Sequence, residues 1–259
     1  ACAIRSDRAR NVECWGSNYY GPCDIPEDIG ESGFRATSIS AGYGHVFAVL
    51  GGGSVRGWGW NGSGQLNVPE GVGAGTKTVF QIEAAEKHTS ALLNDGSVVC
   101  WGDNSHGQLN VPENVRTPLQ IAASGWHTIA LNQDRTVTCW GRNNYGQCTP
   151  PDGLSKVVAV YAGDYNSAAL IEDGSIICWG SNVEGQLNIP DDVGIPGMRV
   201  IDMDLGRCHT VALLEDGSIS CWGASADGQS TPTEQAGQFG LDVVDVVAGG
   251  DTTLALQFE

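Results

Sequence analysis

The dipeptide Trp-Gly occurs six times, at Trp15-Gly16, Trp58-Gly59, Trp101-Gly102, Trp140-Gly141, Trp179-Gly180 and Trp222-Gly223. Successive copies lie 43, 43, 39, 39 and 43 residues apart. The copies share a frame, an apolar run closed by Cys-Trp-Gly (Gly-Trp-Gly at 57–59) and followed by a turn, Gly-Gln (Gly-Pro at 21–22) and a Pro, as from Asp95 to Glu113 and from Asp173 to Asp191. Self-similarity at a period of about forty residues marks propeller blades or solenoid units, which bury their apolar faces only by stacking on one another. That constraint governs the fold more tightly than it governs the function.

Within a repeat the pattern reads as four short strands. Residues 119–123 form a first, 128–131 a second and 137–140 a third, and a short fourth follows Gly146-Gln147. Asp95-Gly96, Asp173-Gly174 and Asp216-Gly217 supply the hairpin turn between second and third strands. Segments such as Ser97 to Trp101 are apolar on both faces, which suits sheets stacked face to face. No stretch holds a helical period. The chain opens with the second hairpin of a repeat, at Ala3-Ile4 and 11–16, and ends with the first hairpin, at 243–256. Six hairpins of each kind predict an all-β, six-bladed propeller of four-stranded blades. It spans 1–259 as a single domain, with one blade stitched from N- and C-terminal strands so that no sheet edge stays free.

Composition narrows the function. The 37 glycines fall largely at recurring turn positions. A net charge of −17, from 30 acidic and 13 basic residues, opposes capture by nucleic acid or an anionic membrane. No run of 18 apolar residues predicts a membrane span, and no charged-then-apolar leader is visible at Ala1, as would hold equally for a processed secreted chain.

The frame Ala-Gly-x-x-His-Thr-x-Ala-Leu, Asp-Gly and Trp-Gly-x-Asn-x-x-Gly-Gln, over essentially the whole chain, resembles the repeat of the regulator of chromosome condensation family. After Gly-Gln, Leu109-Asn-Val-Pro112 and Leu187-Asn-Ile-Pro190 resemble the secreted β-lactamase-inhibitory branch of that superfamily more than its nuclear branch. The resemblance implies a propeller, with seven blades usual where six are counted here. It also implies partner binding through aromatic loops at one propeller end. The nuclear branch implies instead a guanine-nucleotide-exchange or chromatin-type regulator. A likeness to the plant ultraviolet receptor is confined to Gly125-Trp126-His127-Thr128.

Comparing the repeats with one another separates frame from variation. His45, His88, His127 and His209 share one position, taken by Asn166 and Thr252 in the other repeats. Equivalent positions of different blades stand too far apart for one ion at ~2 Å, so the reading is a histidine hydrogen-bonded between blades, with no metal. Cys14, Cys100, Cys139, Cys178 and Cys221 precede the repeated Trp as small buried hydrophobes. Cys23 and Cys148 stand nine residues beyond Cys14 and Cys139, where other repeats carry Leu66, Leu109 and Leu187. Two readings stay open for Cys14 with Cys23 and Cys139 with Cys148: core substitution, or cross-strand disulfides that would favour an extracytosolic compartment. Residues 57–62 match a dinucleotide-binding spacing without the helix that motif needs. Asn61-Gly62-Ser63 is a glycosylation sequon. No catalytic constellation stands out from repeat-equivalent positions, so the expectation is no enzyme and no cofactor.

Strand parity assigns the loops to two rims. One collects Asp95, Asp173, Asp216, Glu27, Glu70, Glu113, Asp152 and Asp191, and reads as a solvated acidic face. The other carries the residues that vary most: Tyr19, Tyr20, Tyr43, Glu86, Lys87, Trp126, Tyr145, Tyr165, Arg207 and Asp227. Aromatics with scattered charges on a rigid frame have the composition of protein-binding hot spots. The expected partner is another protein, with the chain acting as inhibitor, adaptor or peripheral subunit of a larger assembly.

Overall fold

The computed structural model describes residues 1–5, 12–31, 33–231 and 242–258. These hold strands and turns and no helix. The strands are β1 Cys2–Ile4, β2 Val12–Cys14, β3 Ala36–Ala41, β4 His45–Leu50, β5 Val55–Gly59, β6 Val79–Ala84, β7 His88–Leu93, β8 Val98–Gly102, β9 Gln120–Ser124 and β10 His127–Leu131. They continue as β11 Val137–Gly141, β12 Val157–Ala162, β13 Asn166–Ile171, β14 Ile176–Gly180, β15 Val200–Leu205, β16 His209–Leu214, β17 Ile219–Gly223, β18 Asp242–Gly249 and β19 Thr252–Phe258. Five three-stranded sheets run in chain order, from β3-β4-β5 to β15-β16-β17, flanked by the two-stranded sheets β1-β2 and β18-β19. The chain divides into two compact units, residues 1–133 with 140–142, and residues 134–139 with 143–259.

The middle strand of every three-stranded sheet is buried along its whole length. It is hydrogen-bonded on both sides and packed on both faces, which is why β4 reads as an unbroken apolar run after its histidine and β16 as one after Thr210. In the first unit Val46, Ala48 and Leu50 pack with Val12, Ile29, Ala36 and Trp58. In the second, Ala212, Leu214 and Trp222 pack with Ala168, Leu170, Ile176 and Val200. Burial of this kind contributes about 25 cal/mol for each Å² of apolar surface removed from water.

In the five three-stranded sheets the Gly of the Trp-Gly pair ends the third strand with φ between +97° at Gly59 and +110° at Gly180. A Cβ there would also lie 2.5–2.6 Å from the carbonyl oxygen preceding the next sheet position, that of Gly44, Lys87, Trp126, Tyr165 or Cys208. Only glycine meets both demands, which accounts for the fixed second member of the pair.

Among the described residues each full repeat forms a three-stranded sheet, and the segment after Gly-Gln is turn rather than strand. Gln147 O accepts from Trp179 Nε1 at 2.9 Å and from Ser167 Oγ at 3.0 Å. Cys2 lies opposite Cys14 as Ser90 lies opposite Cys100 and Val211 opposite Cys221, so β1 occupies the position of a second strand, as does β19.

Candidate functional site

Three repeated linkages build a rigid frame beneath the loops. Trp58, Trp101, Trp140, Trp179 and Trp222 are buried, and each indole N–H donates to a carbonyl one repeat earlier: Pro22, Gln65, Gln108, Gln147 and Gln186 respectively. His45 meets Thr89 Oγ1 at 3.0 Å, His88 meets Thr128 at 3.0 Å and His209 meets Thr253 at 2.9 Å. Thr89 and Thr253 spend their own hydroxyl protons on the carbonyls of Gln65 and Gln229. His45 and His209 must therefore donate through Nε2, which fixes a neutral tautomer. Burial reinforces this, lowering the pKa to about 4 at His45, about 3 at His88 and about 4 at His127. Among the described residues no three His, Cys, Asp or Glu side chains are grouped to hold a metal ion.

The buried glutamines aim the loops. Gln65, Gln108, Gln147, Gln186 and Gln229 each accept, through Oε1, the backbone N–H of the residue two positions earlier. Those residues are Ser63, His106, Tyr145, Glu184 and Asp227, so in five of the six repeats one buried amide holds the backbone of one variable rim residue. An Asn earlier in the same turn accepts the N–H following Gly-Gln, as Asn104 does from Leu109 at 2.9 Å. Asn61, the sequon residue, plays this part: Oδ1 accepts from Leu66 N and Nδ2 donates to Asn67. A glycan on that nitrogen would compete with the turn.

On this frame the first unit carries a continuous aromatic strip. Tyr19 stands edge-on to Tyr20 with ring centroids 4.8 Å apart, and Tyr20 lies 6.1 Å from Tyr43 and 5.3 Å from Trp60. Lys87 then bridges two indoles, its Nζ 5.8 Å from the Trp60 ring and 4.9 Å from that of Trp126. His106 closes the strip edge-on to Trp126 at 5.2 Å. Tyr19 and Tyr43 are 85% and 69% exposed, so the strip offers ring surface to solvent although its members contact one another. Cation–π contacts of this kind are worth about 0.5–1 kcal/mol at exposed sites. Glu86 is half-buried beside Lys87, with its backbone N–H donating to Gly125 O at 3.3 Å.

The second unit presents less. Tyr145 and Tyr165 make one edge-on pair at 5.5 Å. Arg207 reaches Asp251 at 3.7 Å with both side chains well exposed, a pair worth ~1 kcal/mol at most. Asp227 is exposed.

The structure thus joins Tyr19, Tyr20, Tyr43, Lys87 and Trp126 in one strip, pairs Tyr145 with Tyr165, and leaves Arg207 and Asp227 outside any aromatic contact. Trp60 and His106 belong to the strip, and sequence reading passed over both. Trp60 was hidden by its proximity to Trp58-Gly59, and His106 by a search confined to aromatics and charges. Alignment on Gly-Gln would have found His106, since it shares the position of Tyr20 and Tyr145.

On the other rim the repeated acids have structural work. The carboxylates of Asp95, Asp173 and Asp216 accept from both the backbone N–H and the hydroxyl of the Ser two residues on, as Asp134 does with Thr136. The Ser or Thr hydroxyl bond, then the backbone bond, holds their pKa values below the usual range. The cysteines also differ from expectation. Cys14 is bonded to Cys2, not to Cys23, because β1 places Cys2 directly across from it, and Cys23 is a free thiol. Cys139 is bonded to Cys148.

With this geometry in place, the chain can be compared with known proteins. The sequence profile of the regulator of chromosome condensation (RCC1) repeat matches residues 36–65, 81–108, 119–147, 157–186 and 200–229, more than half of the chain. Curated protein sequences give no match. Among solved structures, human WBSCR16 is similar with a TM-score of 0.75 and 19% identity, over 99% of this chain and 84% of that one. Prp20p from Saccharomyces cerevisiae, whose structure is described with its binding properties to Gsp1p and histones, gives 0.76 and 18%, over 100% and 82%. The CRINKLY WD40 ectodomain of the Arabidopsis thaliana receptor kinase ACR4 gives 0.72 and 21%, over 100% and 86%. Identities this low speak to fold alone.

Proposed function

The chain belongs to the regulator of chromosome condensation (RCC1) repeat family, and on that premise we propose a non-catalytic propeller that binds another protein through its aromatic loop rim. The observation that carries the reading is the strip from Tyr19 to His106, which offers ring surface to solvent and ends on a turn whose His106 N–H the buried Gln108 holds. Aromatic side chains on pre-organised loops bury large area at little entropic cost, as binding hot spots require. The chain acts as an inhibitor, an adaptor or a peripheral subunit. The likeness to the secreted inhibitory branch in the stretch after Gly-Gln supports the first of these.

The architecture goes with it as a proposal. Residues 1–259 form one propeller domain of six blades, each completed on its outer side by the Gln-centred segment. One blade combines strands from the N- and C-terminal ends of the chain. Two disulfides support an extracytosolic compartment. Alanine at Trp126, Tyr145 and Tyr165 together abolishes binding to the native partner and leaves the melting temperature nearly unchanged. Undiminished affinity would refute the reading.

A second reading, a guanine-nucleotide-exchange or chromatin-type regulator, draws support from the likeness to Prp20p and its binding to Gsp1p and histones. The net charge of −17 weighs against contact with nucleosomal DNA. Accelerated nucleotide release from a small GTPase on addition of the protein would favour this reading over the first.

A further inference from the structure

We propose that Cys2, Cys14 and Cys23 form a disulfide-exchange trio, in which Cys14 is bonded alternately to Cys2 and to Cys23. The structure holds the first arrangement: Cys2 and Cys14 join β1 to β2 with Cα atoms 4.0 Å apart, and Cys23 is a half-buried thiol. Cys2 and Cys23 line the same pocket, about 170 Å³ in volume, with Trp15, Pro22 and Tyr43 among its walls.

The second arrangement is drawn by the protein itself elsewhere in the chain. Cys14 and Cys23 occupy the repeat positions of Cys139 and Cys148, which are bonded with Cα atoms 4.9 Å apart. The two turns are built alike. Asn18 Oδ1 accepts from Cys23 N at 2.8 Å, and Asn143 Oδ1 accepts from Cys148 N at 2.8 Å. Gly21 and Gly146 both take φ near +80°, at 77° and 80°, and their carbonyls accept from Asp24 N at 3.0 Å and Thr149 N at 2.9 Å. A turn of this geometry brings its cysteine within bonding distance of the cysteine before Trp-Gly, as residues 139–148 show. Cys14 therefore has one partner across the strand and another across the turn.

The exchange needs no oxidant. Cys23 loses its proton and its thiolate attacks Cys14 Sγ; the Cys14–Cys23 bond forms as the Cys14–Cys2 bond breaks, and Cys2 leaves as a thiolate that takes up a proton. The number of disulfides and of free thiols stays the same. One state ties β1 to β2 and leaves the turn 18–23 untethered. The other releases β1 and ties that turn, with Tyr19 and Tyr20, to β2. The effect on partner binding rests on the rim being a recognition surface; the exchange does not.

Peptide mapping reads the exchange directly. Trypsin places Cys2 in 1–5 and both Cys14 and Cys23 in 11–35. The first state thus links two peptides, and the second closes a loop within one. Protein held at a series of pH values, then alkylated in acid and digested, should show the looped peptide growing at the expense of the linked pair. Its initial rate rises about tenfold per pH unit while the attacking thiol is mostly protonated. Cys2→Ser protein should carry the 14–23 bond, Cys23→Ser protein only the 2–14 bond, and the 139–148 bond in each variant reports an intact fold. The proposal is overturned if wild-type protein yields only the linked pair at every pH. It is equally overturned if Cys2→Ser protein leaves Cys14 and Cys23 both alkylated while the 139–148 bond is intact. Neither readout involves a binding partner, so failure of the rim reading would leave this test standing.

Discussion

The turns of the first unit and those of the second are held by the same bonds and carry different surfaces. Gln108 fixes the N–H of His106 as Gln186 fixes that of Glu184, both within 2.8–2.9 Å. Yet His106 stacks on Trp126 in a strip that runs back to Tyr19, whereas the second unit offers one tyrosine pair and an exposed ion pair. The frame thus fixes where a rim side chain stands and leaves its chemistry free. Stability and the surface chemistry of the rim are separable in this chain, because the buried linkages use the backbone and not the side chains of the rim residues that differ.

That separation can be broken at its strongest point first. Trp101→Ala removes a buried indole and its hydrogen bond to Gln65, and should cost about 3–5 kcal/mol of stability in chemical denaturation. Trp126→Ala, on the rim, should cost no more than about 1 kcal/mol. Equal losses would show that the strip is part of the core.

The next effect is one of pH. His45, His88 and His127 have folded-state pKa values of about 4, 3 and 4, below the ordinary 6.5. The unfolded chain binds their protons first, so the stability they contribute is complete above pH 6.5 and is lost as pH falls from there toward 4. Asp204 opposes this. Burial raises its pKa to about 7, so it favours the folded state in acid and loses that contribution as pH rises from 3.8 through 7. Burial also lowers the pKa of His209 and raises that of Asp202; four histidines outweigh two aspartates, and unfolding midpoints should drop by several degrees between pH 7 and pH 4.5. His88→Asn, borrowing the residue found at Asn166, should flatten that slope. An unchanged slope would mean that the histidines are not the acid-sensitive groups. The smallest effect sharpens the second unit: Arg207→Ala should shift stability by less than about 0.5 kcal/mol, since its ion pair is exposed.

The repeat, the strand order within a sheet and the histidine linkages were legible in the sequence because each recurs, and recurrence is visible without coordinates. What recurs only in space was not. The register slips at the start of the first strands, which turn Phe80, Val158, Ile201 and Val244 outward, leave no mark in the apolar pattern. The turn conformation after Gly146-Gln147 goes with Gln147 O accepting from Ser167 Oγ and Trp179 Nε1, side chains 20 and 32 residues away. Cys2 was not legible as a partner for Cys14 because no other repeat carries a cysteine at its position, so only the register of β1 against β2 brings the two together. The rim residues were found by their variation, but the bridge that Lys87 makes between Trp60 and Trp126 joins side chains 27 and 39 residues away, beyond any local signal.

The claim that the first unit's strip is the recognition surface has one direct test. Binding to the partner captured from the native source would be measured for two double variants, Trp60→Ala with Trp126→Ala and Tyr145→Ala with Tyr165→Ala, alongside their melting curves. The account predicts a loss of about 100-fold or more in affinity for the first pair, a smaller loss for the second, and wild-type melting for both. Full affinity in the Trp60/Trp126 variant, with its fold intact, would contradict it.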